Sequence, residues 1–149
     1  MGVETGDKVF RLVRLRRFQE QRASADLRAG LSEAARTESA LREAGSKVEG
    51  MALWKARPDG LGALDLDTYQ AALAYEHEAM IEQSACKQDH ERSLLRCEEA
   101  TGRYIDAASA TKVAEQRHGR HAAEAHEQAE KRGFDQLSDL LGSLEKKNG

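Results

Sequence analysis

One interruption constrains this chain more than any other feature, the stretch Ala56-Arg57-Pro58-Asp59-Gly60-Leu61-Gly62-Ala63-Leu64-Asp65. It holds the only proline of the sequence and two glycines within three residues. Proline disfavours the α conformation in the residue before it and cannot continue a helix. Gly60 and Gly62 tolerate the positive φ of a chain reversal. On either side lie long, charged, alanine-rich segments without proline, in which helix is the one regular structure that fits. The break therefore reads as the tip of a helical hairpin.

Composition decides between a hairpin of this kind and a globule. Charged residues make up 33% of the 149 and aromatics 5%, against a usual charged fraction of about a quarter. Large aliphatics are scarce enough to raise the alternative of a chain that orders only on binding. Against that, the net charge is only −3 and the charges are interspersed. A narrow seam between two helices also needs far fewer large residues than a globular core. The fold class expected is all-α: a long antiparallel two-helix coiled-coil hairpin with a projecting C-terminal helical extension.

In chain order, residues 1–7 read as a flexible N-terminus, with Asp7 as the N-cap of the first helix. Leu27, Leu31, Ala34, Glu38, Leu41, Gly45, Val48 and Ala52 alternate spacings of four and three, which is a heptad seam. Glu38–Arg42 and Glu43–Lys47 stand at i, i+4 in the favourable order. This arm would be about 70 Å long. Asp65 or Asp67 can cap the second arm, whose pattern runs through Leu66, Tyr69, Leu73, Met80, Ile81, Leu94, Leu95, Tyr104, Ile105, Ala108 and Val113. That arm would reach about 100 Å, with Gly133 as its stop or kink. The expected domains are 8–132 for the hairpin, with its tip at 56–65, and 133–149 for a short amphipathic segment and tail.

Folding back about Leu61 would set facing residues whose numbers add to about 122, pairing Leu41 with Ile81, Leu27 with Leu95 and Phe18 with Tyr104. The second helix would then lack a partner beyond about Gln116. In this projecting part Phe134, Leu137, Leu141 and Leu144 share a face. Such a face is either a self-association seam or a segment that docks in a groove of another protein, and with no core left to cover it docking is favoured. At the other terminus Phe10, Leu15 and Phe18 are interleaved with Arg11, Arg14, Arg16, Arg17 and Arg22. That pattern reads as an apolar face with solvated arginines or as a cationic surface for an acidic protein partner. Nucleic acid is disfavoured by the isoelectric point near 6.0 and the absence of an aromatic stacking platform.

Little in the sequence points to chemistry. Cys86 and His90 stand at a chelating i, i+4 spacing, but Cys97 is roughly 16 Å further along the helix and two ligands do not make a zinc site. His118, His121 and His126 are expected on a solvated face. GxxxxGK[ST], GxGxxG, GxSxG and HExxH are all missing. The expectation is a non-enzymatic chain with no cofactor and no metal. Two cysteines, no apolar run near the ~20 residues of a membrane span and no signal-peptide core suggest a reducing cytoplasm.

These features together resemble the small coiled-coil stalk proteins of type III export, the FliJ family of flagellar export and its YscO counterpart in virulence secretion. The resemblance covers roughly Phe10 to Leu141. It rests on the basic-apolar start Phe10-Arg11-Leu12-Val13-Arg14-Leu15-Arg16-Arg17, the glycine-containing tip and the unequal second helix. It also rests on Tyr69-Gln70-Ala71-Ala72-Leu73, Ala79-Met80-Ile81-Glu82-Gln83 and Glu130-Lys131-Arg132 leading into Phe134-Asp135-Gln136-Leu137-Ser138-Asp139-Leu140. It implies a component of a bacterial export apparatus at the inner membrane that docks on the hexameric export ATPase and regulates it, and that links it to the export-gate membrane protein and to export chaperones. Carried over by position, the ATPase side would comprise Arg14, Arg16, Arg17, Phe134, Leu137 and Leu140. The gate side would comprise Tyr69, Ala72, Leu73, Glu76, Ala79, Met80 and Gln83. Ala72 replaces a frequent large aromatic of the family, and Glu76 a usual aliphatic residue. A self-assembling structural or scaffold coiled coil is the alternative class.

Overall fold

The computed structural model describes residues 2–56 and 66–148. The proposed tip, Arg57 to Asp65, lies outside the described residues, as does Asp65 as a cap. Two helices account for everything described: α1, Gly2–Ala56, and α2, Leu66–Asn148. They pack against each other as an all-α hairpin. The absence of internal proline and the high content of alanine, glutamate, arginine and lysine explain why both run unbroken. Two local expectations are corrected. Helix α1 begins at Gly2, so Asp7 lies inside it rather than at its cap. Gly133 does not stop α2, which continues to Asn148; a single glycine costs about 1 kcal/mol relative to alanine, too little to break a helix this long.

The chain divides into two compact units, one of Ala23–Tyr104 and one of Met1–Arg22 with Ile105–Gly149. In the first, the central unit, one shielded row of α1 is Ala23, Leu27, Gly30, Ala34, Thr37, Leu41, Ala44, Val48, Met51 and Lys55, with Ser24, Glu33, Gly45 and Trp54 partly covered beside it. On α2 the row is Ala72, Glu76, Ala79, Gln83, Cys86, His90, Ser93, Cys97, Ala100 and Tyr104. Along each of these rows spacings of three and four alternate, the signature of a coiled-coil seam. In the second, the terminal unit, the same rhythm gives Gly6, Val9, Val13, Arg16 and Glu20 facing a row of Ala107, Thr111, Ala114, His118 and His121.

The seam differs from the expected one at three positions. Leu27, Ala34, Leu41 and Val48 lie on it as expected, and Gly45 is half-buried, its Cβ position 3.7 Å from Gln83 Nε2, but Leu31, Glu38 and Ala52 give way to their preceding neighbours Gly30, Thr37 and Met51. Leu31 is 54% exposed. The large residues expected to fill the α2 side, Leu73, Met80, Ile81, Leu94, Leu95, Ile105 and Val113, are likewise outside it. Among the described residues no buried side chain is larger than valine: the core consists of Val13 with Ala34, Ala44, Ala79, Ala100 and Ala114, joined by Thr37, Ser93 and Thr111.

Small residues explain this choice. The distance between two helix axes follows the size of the side chains between them, and alanine, glycine and serine let the backbones approach closely. A Cβ at Gly30 would lie 3.6 Å from Cys97 Cα on the opposite helix, and Thr111 Oγ1 donates at 3.0 Å to the backbone carbonyl of Arg16. Thr111 shares that single proton with Ala107 O of its own helix, also at 3.0 Å, and Ser93 Oγ donates to Asp89 O at 3.0 Å. Polar seam positions thus carry no unpaired-hydroxyl penalty.

The facing numbers settle the register. Gly6 meets His121, Arg16 meets Thr111, Gly30 meets Cys97 and Thr37 meets His90, and each pair adds to 127 rather than 122. The expected pairs Leu41–Ile81, Leu27–Leu95 and Phe18–Tyr104 are therefore not opposite each other. The shift also moves the last shielded residue of α2 from the neighbourhood of Gln116 to His121.

Candidate docking surfaces

In the terminal unit the seam positions of α1 leave Arg11, Arg14, Arg17 and Arg22 on the exposed flanks. Arg16 occupies a seam position and is half-buried; its Nη1 donates to Gln19 Oε1 at 3.2 Å. Arg17 Nε donates to Glu115 Oε1 at 3.0 Å across the helix pair. Both partners are about half exposed, so this link contributes less than about 1 kcal/mol. The same unit has an open groove of about 290 Å³ whose lining includes Leu12, Ala110, Val113 and Ala114 together with Arg16 and Arg117.

His118 and His121 depart from the expectation of a solvated face. Both lie on the seam, three residues apart, with His118 tilted against Phe10 at a ring separation of 5.9 Å and His121 beside Gly6. The shielded Nδ1 of His118 has no hydrogen-bond partner. His126 is exposed and pairs with Glu130 at 3.2 Å. From Ala122 onward every described residue is exposed, including Phe134 at 76%, Leu137, Leu140, Leu141 and Leu144. All six residues expected on the ATPase side therefore belong to this unit, five of them with open side chains and Arg16 partly covered.

The central unit splits the expected gate-side set. Tyr69, Leu73 and Met80 are exposed. Ala72, Glu76, Ala79 and Gln83 are on the seam, and Ala79, at 4% exposure, presents almost no surface. Glu76 forms an ion pair with Lys55 of α1, the least exposed salt bridge among the described residues. This accounts for an acidic residue at a shielded position: its charge is matched from the facing helix. Sequence reading missed the pair because Lys55 and Glu76 face each other only in the observed register. It missed Thr37 for the same reason that it missed Gly30, by following the larger neighbour one position on. Lys47 also crosses to Glu82 at 3.5 Å, and Arg96 to Glu33 at 3.4 Å. The i, i+4 pairs Glu38–Arg42 and Glu127–Lys131 are formed at 3.2 and 3.4 Å.

The potential ligands of this unit are used internally. His90 Nδ1 lies 3.1 Å from Thr37 Oγ1, which is also 3.0 Å from Ala34 O. Both contacts are satisfied when the hydroxyl donates to the carbonyl and accepts an Nδ1–H. Cys86 and Cys97 are free, half-buried thiols on the seam. Among the described residues no three His, Cys, Asp or Glu side chains converge as a metal cage, and no helix is long and apolar enough to cross a membrane. The surfaces of both units carry exposed aliphatic and aromatic side chains flanked by charge. Comparison with protein-family models, curated proteins and solved structures returns no match.

Proposed function

We propose that this chain is a non-enzymatic component of a type III protein export apparatus, a coiled-coil adaptor that docks on the hexameric export ATPase and links it to the export gate and its chaperones. It works at the cytoplasmic face of the inner membrane, held there by protein contacts. The observation that carries the reading is the open end of the terminal unit. There α2 outruns its partner, and an exposed apolar face of Phe134, Leu137 and Leu140 occurs in the same unit as the arginines of α1. A helix that displays apolar residues at three-residue spacing without an intramolecular partner suits insertion against another protein. The unlike charge of Arg14 and Arg17 would steer and orient that encounter. The fold and the family resemblance agree, since a two-helix coiled coil is what the stalk proteins are expected to be.

The test is retention of the purified chain by the cognate hexameric ATPase, comparing wild type with Arg14→Glu/Arg17→Glu. Retention of wild type and at least tenfold weaker retention of the double variant is the expected result. A wild-type chain that passes through unbound would sink the stalk reading. The second reading, a self-assembling scaffold, is favoured by the predominance of large apolar side chains on the surface over a core of valine and alanine; large homo-oligomers in sedimentation would support it.

A further inference from the structure

The seam of the central unit has two flanks of unlike character. On one, Lys47 reaches Glu82 and Arg96 reaches Glu33 across the helix pair. Leu31, Met80 and Leu94 each stand two residues before one of these charges, so they lie about 160° round their helices, on the other flank. There Leu66, Leu73, Met80 and Leu94 form a row on α2 at multiples of seven residues, all between 40% and 70% exposed. Ile81 and Leu95, each next in sequence to a member of the row, widen it on the outer side. One charged residue, Lys87, falls in the row. Between 72 and 97 the seam row of α2 carries only small or polar residues, so its large apolar side chains stand beside the seam and not in it. Such a flanking stripe is what helices of a four-helix bundle carry and a two-stranded coil lacks. The described chain contributes only two helices and buries no side chain larger than valine.

We infer that a second copy of the chain covers this flank, giving a four-helix bundle with a two-fold axis at Met80. The row is its own complement, because its five heptad positions from 66 to 94 are centred on residue 80. Turned end for end about Met80, it sets Leu66 of one copy on Leu94 of the other, Leu73 along the aliphatic stem of Lys87, and Met80 on Met80. Lysine therefore never meets lysine, and each ammonium leaves at the rim. A second copy matches this spacing by symmetry alone, and every contact is made twice, which closes the assembly at two chains. The area agrees. The six exposed side chains of Leu66, Leu73, Met80, Ile81, Leu94 and Leu95 offer on the order of 600 Å² per copy, within the about 600–1,000 Å² that each partner brings to a specific interface. This dimer does not rest on the export reading. It covers Leu73 and Met80, which that reading assigns to the export gate, and involves no residue of the terminal unit, so dimer and gate contact exclude one another while the ATPase contact is unaffected.

Sedimentation velocity of the purified full chain, with no other protein present, tests the inference. Wild type should pass from monomer to dimer between about 1 and 100 µM, and go no further. Met80→Arg brings two like charges together at the axis and should weaken the dimer about tenfold or more. It should keep the helical circular dichroism of wild type, because Met80 is half exposed in the single chain. Lys87→Leu completes the apolar row and should tighten the dimer by about tenfold. In a Cys86→Ser/Cys97→Ser background, Met80→Cys chains should form a disulfide with their own kind, since only a residue at a two-fold axis meets itself. Leu53→Cys, equally open but on the outer side of α1, should not. A wild-type chain that stays monomeric at 100 µM overturns the inference, as do oligomers that keep growing with concentration. So does association that Met80→Arg leaves unchanged, or Met80→Cys chains that cross-link no faster than Leu53→Cys chains. Since neither ATPase nor gate protein is present, these outcomes are separate from failure of the docking test.

Discussion

Replacing Gly30 by alanine should make the protein more stable, and the sign of the effect discriminates between seams. Gly30 faces the opposite helix in the central unit, where a Cβ would find Cys97 Cα at 3.6 Å and Cys97 Cβ at 4.0 Å. Both are ordinary van der Waals separations, so the methyl group fits without displacing backbone. Alanine is favoured over glycine in a helix interior by about 1 kcal/mol, and a shielded methyl adds up to about 0.8 kcal/mol of burial. The net expectation is a gain of about 1–1.5 kcal/mol, which for a chain of 149 residues raises Tm by about 2–6 °C. Gly50→Ala supplies the reference, since nothing lies within 4 Å of its added Cβ. It should gain only the helix-propensity part. The assay is urea unfolding followed by circular dichroism, with thermal unfolding alongside. Gly30→Leu should instead lose about 1–3 kcal/mol, because the added atoms have no room between backbones. A loss of stability for Gly30→Ala, or a gain for Gly30→Leu, would refute the close approach of the two helices.

Three further outcomes follow from the same packing. Leu31→Ala should cost less than about 1 kcal/mol in urea unfolding, because the side chain is more than half exposed, whereas Ala100→Leu should cost about 1–3 kcal/mol by overfilling the seam; the reverse order would restore the leucine-filled seam. Glu76→Ala leaves Lys55 at a shielded position without its counter-charge and should destabilise by about 1–2 kcal/mol, while Arg17→Ala, whose partner is half exposed, should change stability by less than about 1 kcal/mol. Ending the chain after Ala125 should leave the urea midpoint of the remaining hairpin nearly unchanged, since the residues removed are all exposed. A large drop in midpoint would show that the segment is packed on its own chain.

Two helices of unequal length and the exposed apolar C-terminal face were legible in the sequence, because each depends on local properties: the absence of proline within the arms, and a periodic pattern on one helix. The register was not. It depends on which residues lie between the helices, and the search for large aliphatic partners led to Leu31, Leu94 and Leu95 rather than to Gly30, Ser93 and Cys97. Hydrophobicity ranks leucine above alanine, yet the distance between backbones rewards the smaller side chain, and that distance cannot be read from one helix alone. The same gap explains the candidate surfaces. Phe134, Leu137 and Leu140 are as exposed as a docking segment requires, while Ala72, Glu76, Ala79 and Gln83 proved to be seam residues because a pattern on α2 does not reveal which side faces α1.

A seam of small side chains at regular spacing has few knobs to hold its two tracks in step. In the central unit, a sliding of one helix by seven residues would again set the two seam rows face to face. What distinguishes the true position are the unlike pairs: after such a slide Lys55 would meet Tyr69 or Gln83 in place of Glu76, and Thr37 would meet Gln83 or Cys97 in place of His90. The few polar links therefore index the track, as detents do on a sliding scale. Substituting them together would lower the barrier to displacement by a full heptad, about 10 Å along the axis, even where the helices themselves stayed intact.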